Sequence, residues 1–481
     1  MLFNLAKIYN SDIKKSQRDR QNEALSRDNW TSEPNSDRKK GGERMRRKAK
    51  KLMAVGLAAA TALSLCACGS GSDGSSSSSS KDALEVVIWD TNQQAGIQQI
   101  CDLFTEETGI KVEVQVKDWN SYWTLLESGA SGGDMPDVFW MHSNNSQMYM
   151  KNDMLLKLDD YIASSDKIDM SNYMSEITEL YTYDGSYYAI PKDYDTIALW
   201  YNKTMFDEAG LSYPDETWTW DDMYEAAKKL TKDDGSQYGF ALNPSNDQDT
   251  YYNMVYSMGG YIVSDDHTTS GYDDANTIKA MNYVADLLEN CCPPATTMSE
   301  TGTDVLFESG TVAMITQGSW MTAGFLDNEY LVENCDVAIL PYDATTGVRA
   351  SICNGLGWAA SSSTKRADDC WALIEWFGSE EMQKKQAELG VTMSAFNNTS
   401  DTWVNCTDVF NLQGYLDIAK DSEVDGVTNQ LVLRPYTYNS TVWSNAAQTF
   451  FADAWSNPST MEEACKTFAG QMNDYIAAEN N

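Results

Sequence analysis

Leu84-Glu-Val-Val-Ile-Trp89, the stretch from Ala95 to Thr108 closed by Gly109, and Ile110-Lys-Val-Glu-Val-Gln-Val116 carry the reading of the fold. The first run is β-branched and continuous, as a strand buried on both faces requires. The middle stretch has helical length and ends on the residue best suited to a left-handed stop. The third run alternates apolar and polar residues, and Asp137-Val-Phe-Trp140 adds a further short strand after a Gly/Pro break. Strand, helix, strand, helix, strand is the pattern of an α/β domain with a largely parallel sheet. Roughly 400 residues follow position 80, more than one core usually serves, so two domains are expected.

Further along, helices are marked by their ends. Thr219 to Leu230 opens with a Thr cap and acidic residues in its first turn. Within Lys365–Phe377, Ala367, Cys370, Trp371, Ile374 and Phe377 share one helical face, with Gly378 following. Thr460 and Glu463 have the spacing of a capping box for a last helix reaching about Ala478. Asp421-Ser-Glu-Val-Asp-Gly426 faintly suggests a calcium loop, but Val432 stands where a chelating Glu is needed.

Toward the N-terminus, Met45-Arg-Arg-Lys-Ala-Lys-Lys51 precedes an almost uncharged run from Leu52 to Ala67. That order is a secretory signal, 45–67, and the run is short for a bilayer span of about 20 residues. Its end, Leu65-Cys-Ala-Cys68, resembles a bacterial lipobox, which implies Cys68 as the lipidated N-terminus. Residues 68–83 then read as a Ser/Gly-rich tether. Residues 1–44 are polar and lack apolar periodicity, and they read as a non-translated or disordered extension before a true start at Met45.

The chain carries 35 basic and 71 acidic residues, of which 15 and 7 precede Cys68, leaving 20 against 64 in the mature part. Such a surface repels nucleic acid and anionic lipid. The membrane is therefore met through the lipid anchor only, and an anionic solute is disfavoured. Eight cysteines follow Cys68 without CxxC spacing, and His142 and His267 are the only histidines. No metal site or cofactor is expected, and the cysteines read equally as free or as paired.

Ala189-Ile-Pro-Lys-Asp-Tyr-Asp-Thr-Ile-Ala-Leu-Trp-Tyr-Asn-Lys203 resembles the central signature of family 1 extracellular solute-binding proteins, which include the maltodextrin-binding proteins. Trp218-Thr-Trp-Asp-Asp222, the segment Phe307 to Met321 with Gly318-Ser-Trp320, and Leu356-Gly-Trp-Ala-Ala360 follow in the order that family keeps. The resemblance implies a two-lobe, periplasmic-binding-protein-like α/β fold with a hinge and a ligand cleft between the lobes. Lobe one would be 84–194 plus 345–392, and lobe two 195–344 plus 393–481. It also implies an exported monomer on the outer face of the cell membrane that captures a sugar and hands it to the permease subunits of an ABC importer; the many aromatic residues favour an oligosaccharide over a single ring, since each extra ring offers another face to stack on.

A sugar presents apolar C–H faces that lie on aromatic rings and hydroxyls that need paired partners. Trp89 and Asp90 end the first strand, where open α/β sheets expose their ligand edge. Trp140 and Asn144, with His142, end another, and Trp119 and Tyr122 follow the second strand. Asp193 and Asp195 fall at the expected hinge. Trp320, Asn354 and Trp358 stand among glycines, and Arg434-Pro-Tyr436 is a further candidate. Trp200, Trp371, Trp376 and Trp455 lie on helix or strand patterns and read as core. Two alternatives remain at this level. A secreted carbohydrate-active enzyme needs a carboxylate pair about 5–10 Å apart, which an acidic chain supplies easily, but no GxSxG elbow or Ser/His/Asp arrangement is present. A ligand-binding lipoprotein that feeds a membrane sensor would use the same fold.

Overall fold

The computed structural model describes residues 83–420 and 422–479. The expected extension, signal, Cys68 and nearly all of the tether lie outside the described residues, as does Asp421.

The strands that organise the molecule are β1 (Ala83–Ile88), β2 (Lys111–Val116), β3 (Val138–Met141), β4 (Ile190–Pro191), β5 (Ile197–Asn202), β6 (Met314–Gly318), β7 (Cys335–Ala338), β8 (Val348–Cys353), β9 (Gly357–Ala360) and β10 (Val427–Leu433). The helices that matter for the site are α1 (Thr91–Thr108), α2 (Trp119–Gly132), α3 (Ser143–Lys151), α4 (Trp220–Leu230), α5 (Tyr251–Ser257), α6 (Ala367–Gly378), α7 (Ser440–Phe450) and α8 (Met461–Glu479).

The first sheet has the order β2-β1-β3-β9-β4. β1 runs parallel to β2 and β3, whereas β9 is antiparallel to both β3 and β4. The parallel reading therefore holds for the N-terminal half only. β9 arrives from the other lobe and must run back along β3. Leu84, Val86, Val87 and Ile88 are buried. α1 covers the sheet with Ile97, Ile100, Cys101 and Phe104, a buried stripe at helical spacing. It begins four residues before the sequence suggests, because Asp90 caps it by accepting the Asn92 N–H at 2.8 Å. Gly109 ends it at φ 77°, where its N–H reaches Thr105 O. α6 lies against β9 and β3 through Cys370, Trp371, Ile374 and Phe377.

The second lobe is built on an antiparallel sheet, β6-β5-β7. Every residue of β5 is buried, and Trp200 donates its indole N–H to the Tyr415 hydroxyl at 2.7 Å. α4 packs through Trp220, Met223, Ala226, Ala227 and Leu230, and Thr219 with Asp222 forms its capping box. Thr460 makes no such box. It sits in a 3-10 turn before α8 and donates its hydroxyl to Asn457 O.

Three segments cross between the lobes, at 192–195, 354–356 and 392–394. β8 pairs with β10 and packs against α5 and β5, so it travels with the second lobe. The stretch Val348–Cys353, expected in lobe one, thus packs with the strands of the second sheet, and Ile352 and Cys353 are buried. The crossings are laced together. Lys192 N–H donates to Leu356 O at 2.7 Å, Asp195 N–H to Asn354 O at 2.8 Å, and Tyr194 N–H to Met393 O at 3.2 Å. Gly355 permits this approach, since a Cβ there would stand 2.2 Å from Asp193 O.

All eight cysteines of the described residues are free, and all but Cys406 are buried. No helix among the described residues is long and apolar enough to cross a membrane.

Candidate functional site

A cavity of about 740 Å³ lies between the lobes, over the crossings. That is within the range of small-molecule sites. Eight of the residues expected at the site line it: Trp89, Asp90, Trp119 and Asn144 from the first lobe, Asp193, Asp195 and Asn354 from the crossings, and Trp320 from the second lobe.

The first-lobe wall is aromatic. Trp89, at the end of β1, meets Trp119 edge to face at 5.1 Å and Trp140 at 5.0 Å, and Trp123 follows Trp119 at 5.5 Å. Trp119 lines the cavity and is 41% exposed. Asp118 places it by capping α2. From the second lobe, Trp320 folds over Gly318, where any Cβ would fall 1.9 Å from its ring.

Three expected residues do not reach the cavity. Trp140 is fully buried behind Trp89, with the Lys192 ammonium 4.6 Å from its ring centre. Trp358 is fully buried and stacked on Phe377 at 4.0 Å and 6°. Strand alternation turns both indoles into the core, even though glycines flank Trp358. Tyr436 packs on His267 at 4.4 Å, outside the lining.

The opposite wall is polar and largely escaped the sequence reading. Asn243-Pro-Ser-Asn-Asp-Gln-Asp249, the loop before α5, contributes most of it, joined by Asp304, Gln317 and Gln448. Seven residues with five amide or carboxylate side chains, between the buried Ala241-Leu242 and Tyr251-Tyr252, were the available signal. Gln93 and Glu127 complete the first-lobe side.

Hydrogen bonds fix these groups. Gln93 bridges two of them, donating Nε2 to Asp90 Oδ2 at 2.9 Å and accepting from Lys192 Nζ at 2.9 Å. Lys192 is fully buried and pairs with Asp193, whose Oδ1 accepts the Leu356 N–H at 2.8 Å. Asp195 Oδ1 accepts from Asn354 N–H and from Gln248 Nε2 at 2.7 Å. Burial, and secondarily the charge of Asp193, hold the Asp195 carboxyl well above the usual carboxylate range. Arg434, just past β10, pairs with Asp247, and its buried Nε has no partner among the described residues.

His142 caps α3 by accepting the Asn144 N–H on Nδ1 at 3.1 Å. Burial, then the charge of Arg434, depresses its pKa, so the ring is neutral. With Nδ1 accepting, the proton sits on Nε2. Nε2 lies 3.0 Å from Asn354 Nδ2, while Asn354 Oδ1 is buried without a partner. Two donors cannot pair, and turning the amide over removes that clash. Its oxygen then accepts from Nε2–H, and its NH₂ takes the unpartnered buried position at the cavity. Away from the lining, Asn152 Nδ2 donates to the Tyr438 hydroxyl at 3.1 Å and the Lys151 ammonium lies 3.8 Å from that ring's centre.

Comparison with known proteins places this geometry. The profile of the bacterial extracellular solute-binding proteins matches residues 89–384. The galactooligosaccharide-binding protein of Bacillus subtilis is 29% identical over 252 residues, half of this chain and 56% of that one. The maltodextrin-binding protein of the same organism is 26% identical over 303 residues, 62% of this chain and 69% of that one. Among solved structures, an ABC substrate-binding protein of Listeria monocytogenes in complex with cycloalternan superposes with a TM-score of 0.74 at 22% identity, covering 82% of this chain and all of that one. With a profile match over most of its length and two α/β lobes enclosing a lined cavity, the chain belongs to the bacterial extracellular solute-binding protein family.

Proposed function

We propose that this protein captures a sugar, an oligosaccharide in preference to a single ring, and delivers it unchanged to an ABC importer. The observation that carries this reading is the pairing of opposed walls, indoles of Trp89, Trp119 and Trp123 on one side and amides and carboxylates of the 243–249 loop on the other. A pyranose has complementary surfaces, apolar on its C–H face and hydrogen-bonding around its edge. The contacts would be made by Trp89, Asp90, Trp119, Asn144, Asp193, Asp195, Trp320 and Asn354, with Gln93, Gln248 and Arg434 supporting them. The relatives named for galactooligosaccharide and maltodextrin support the substrate class. The lobes would divide at the crossings, and closure there is a hinge motion that lets an importer tell loaded from empty.

In this reading the signal at 45–67 exports the chain and Cys68 tethers it by lipid to the outer face of the membrane, as a monomer. Calorimetric titration of the purified protein with mono- and oligosaccharides, with chromatography of the sugar afterwards, tests it. An oligosaccharide bound and recovered intact supports the reading. Shortened products would make the protein an enzyme, and no binding across the panel would remove sugar as the ligand.

A further inference from the structure

The cavity is lopsided in charge. Seven carboxylates line it, and among the described residues Arg434 is the one Lys or Arg in the lining, beside the neutral ring of His142. Asp247 is paired with Arg434, and Asp193 with Lys192 behind the wall. Asp90 and Asp195 are held by neutral donors, namely Gln93, Gln248 and backbone N–H groups. Asp249 differs from these. It is 6% exposed, it lines the cavity, and no side chain among the described residues bonds to its carboxylate. Its own backbone N–H favours the charged form.

A buried carboxyl normally has a partner, because an unpaired one loses its hydration without compensation. The groups that face Asp249 make the deficit worse. Asp247 and Asp304 oppose its ionisation, while Arg434, already committed to Asp247, helps only weakly. Burial first, then these neighbours, push its pKa to about 8. Hydroxyls alone could pair with the neutral Asp249 carboxyl, but they would not offset the carboxylates Asp304 and Glu127, which line the cavity without any ion pair among the described residues.

We propose that the solute held in this cleft carries a protonated amine, an amino sugar, seated against Asp249 on the second-lobe wall. The inference rests on the sugar reading above and refines it. An ammonium supplies both the missing donors and the missing charge, and a charge-assisted bond in a buried setting is roughly twice as strong as a neutral one. Asp249 is mostly protonated at neutral pH, so seating the ammonium draws its proton off into the solvent. One N–H···O contact forms as one O–H bond is lost, and no redox partner is involved.

The test is calorimetric titration of the purified protein at pH 7 with matched pairs. D-glucosamine, D-galactosamine and their β-1,4 dimers are each compared with the glucose or galactose compound that has hydroxyl in place of the amine. In at least one pair the amine compound should bind about tenfold tighter or more. The apparent enthalpy should vary with the ionisation enthalpy of the buffer, in the direction of proton release. Asp249→Asn should bring the ratio within a pair close to one and abolish the buffer dependence. Its melting temperature shows that it folds, and Asp304→Asn, which should lower the ratio partway, gives a second route. Equal affinities within every pair, or binding of the neutral compounds alone, would overturn the proposal and leave the sugar reading standing. Binding of no sugar at all would overturn both.

Discussion

Asp195 and Asn354 hold each other twice: the Asp195 N–H donates to Asn354 O at 2.8 Å, and the Asn354 N–H returns to Asp195 Oδ1 at 2.9 Å. The same carboxyl takes the Gln248 amide from the second lobe. Asp195→Ala leaves the buried Asn354 N–H and the half-buried Gln248 amide without their acceptor, a loss of about 1–3 kcal/mol. A lowered melting temperature together with weakened sugar binding is expected, since Gln248 loses its anchor at the cavity. A variant that melts like the parent would show that water replaces the carboxylate.

Trp119 and Trp358 should respond in opposite ways to the same change. Trp119→Ala removes an exposed indole from the lining, and affinity should fall about tenfold or more with little change in stability. Trp358→Ala opens a hole against Phe377 and should cost about 3–5 kcal/mol of stability. The protein that remains folded should bind nearly as the parent does. Paired thermal melts and titrations separate the two, and a binding loss confined to Trp358→Ala would reverse the assignment of walls.

Stability of the unliganded protein should fall as pH rises toward 8. Between roughly pH 4, where an unfolded Asp titrates, and about 8, where Asp249 does, the folded state keeps a proton that the unfolded chain has released. Folding then weakens with rising pH across that window and levels off above it. Asp195 acts in the same sense. His142 acts in the opposite one, because its neutral buried ring penalises folding as pH drops below about 6.5. Scanning calorimetry of Asp249→Asn should show a stability gain over the parent that widens from pH 5 to pH 8. A gain independent of pH would mean that Asp249 is ionised throughout.

Cys68→Ala should release the protein from cells into the medium, and Cys66→Ala should leave it bound. Labelling with a tagged fatty acid reads the modified position directly. Retention of the Cys68→Ala protein on cells would move the anchor elsewhere.

The sequence was most legible where local chemistry acts alone. β1, α1 and the Thr219 cap follow from β-branching, helical spacing and a hydroxyl before an acidic turn, and the structure keeps all three. Candidate residues at strand ends mostly line the cavity, because sheet topology delivers strand ends to the cleft. Trp140 and Trp358 went the other way. Whether a strand residue faces the ligand or the core depends on register against β9 and α6, which are more than 200 residues away from Trp140 in sequence. The loop at 243–249 was missed for a related reason. Polar loops are common, and only the folded second lobe turns this one inward over Asp195. The placement of β8 has the same origin, since it pairs with β10 from 80 residues downstream.

The three crossings form a narrow three-ply strip, with 192–195 in the middle and a neighbour bonded along each edge. A strip of that kind flexes easily out of its own plane but resists sliding of one ply past another, which would break several hydrogen bonds at once. The lobes are thereby left with essentially one degree of freedom, a swing about a line across the strip. Arrival of a ligand at one wall then dictates where the other wall must land, and the geometry of the loaded form is set before the second lobe touches anything.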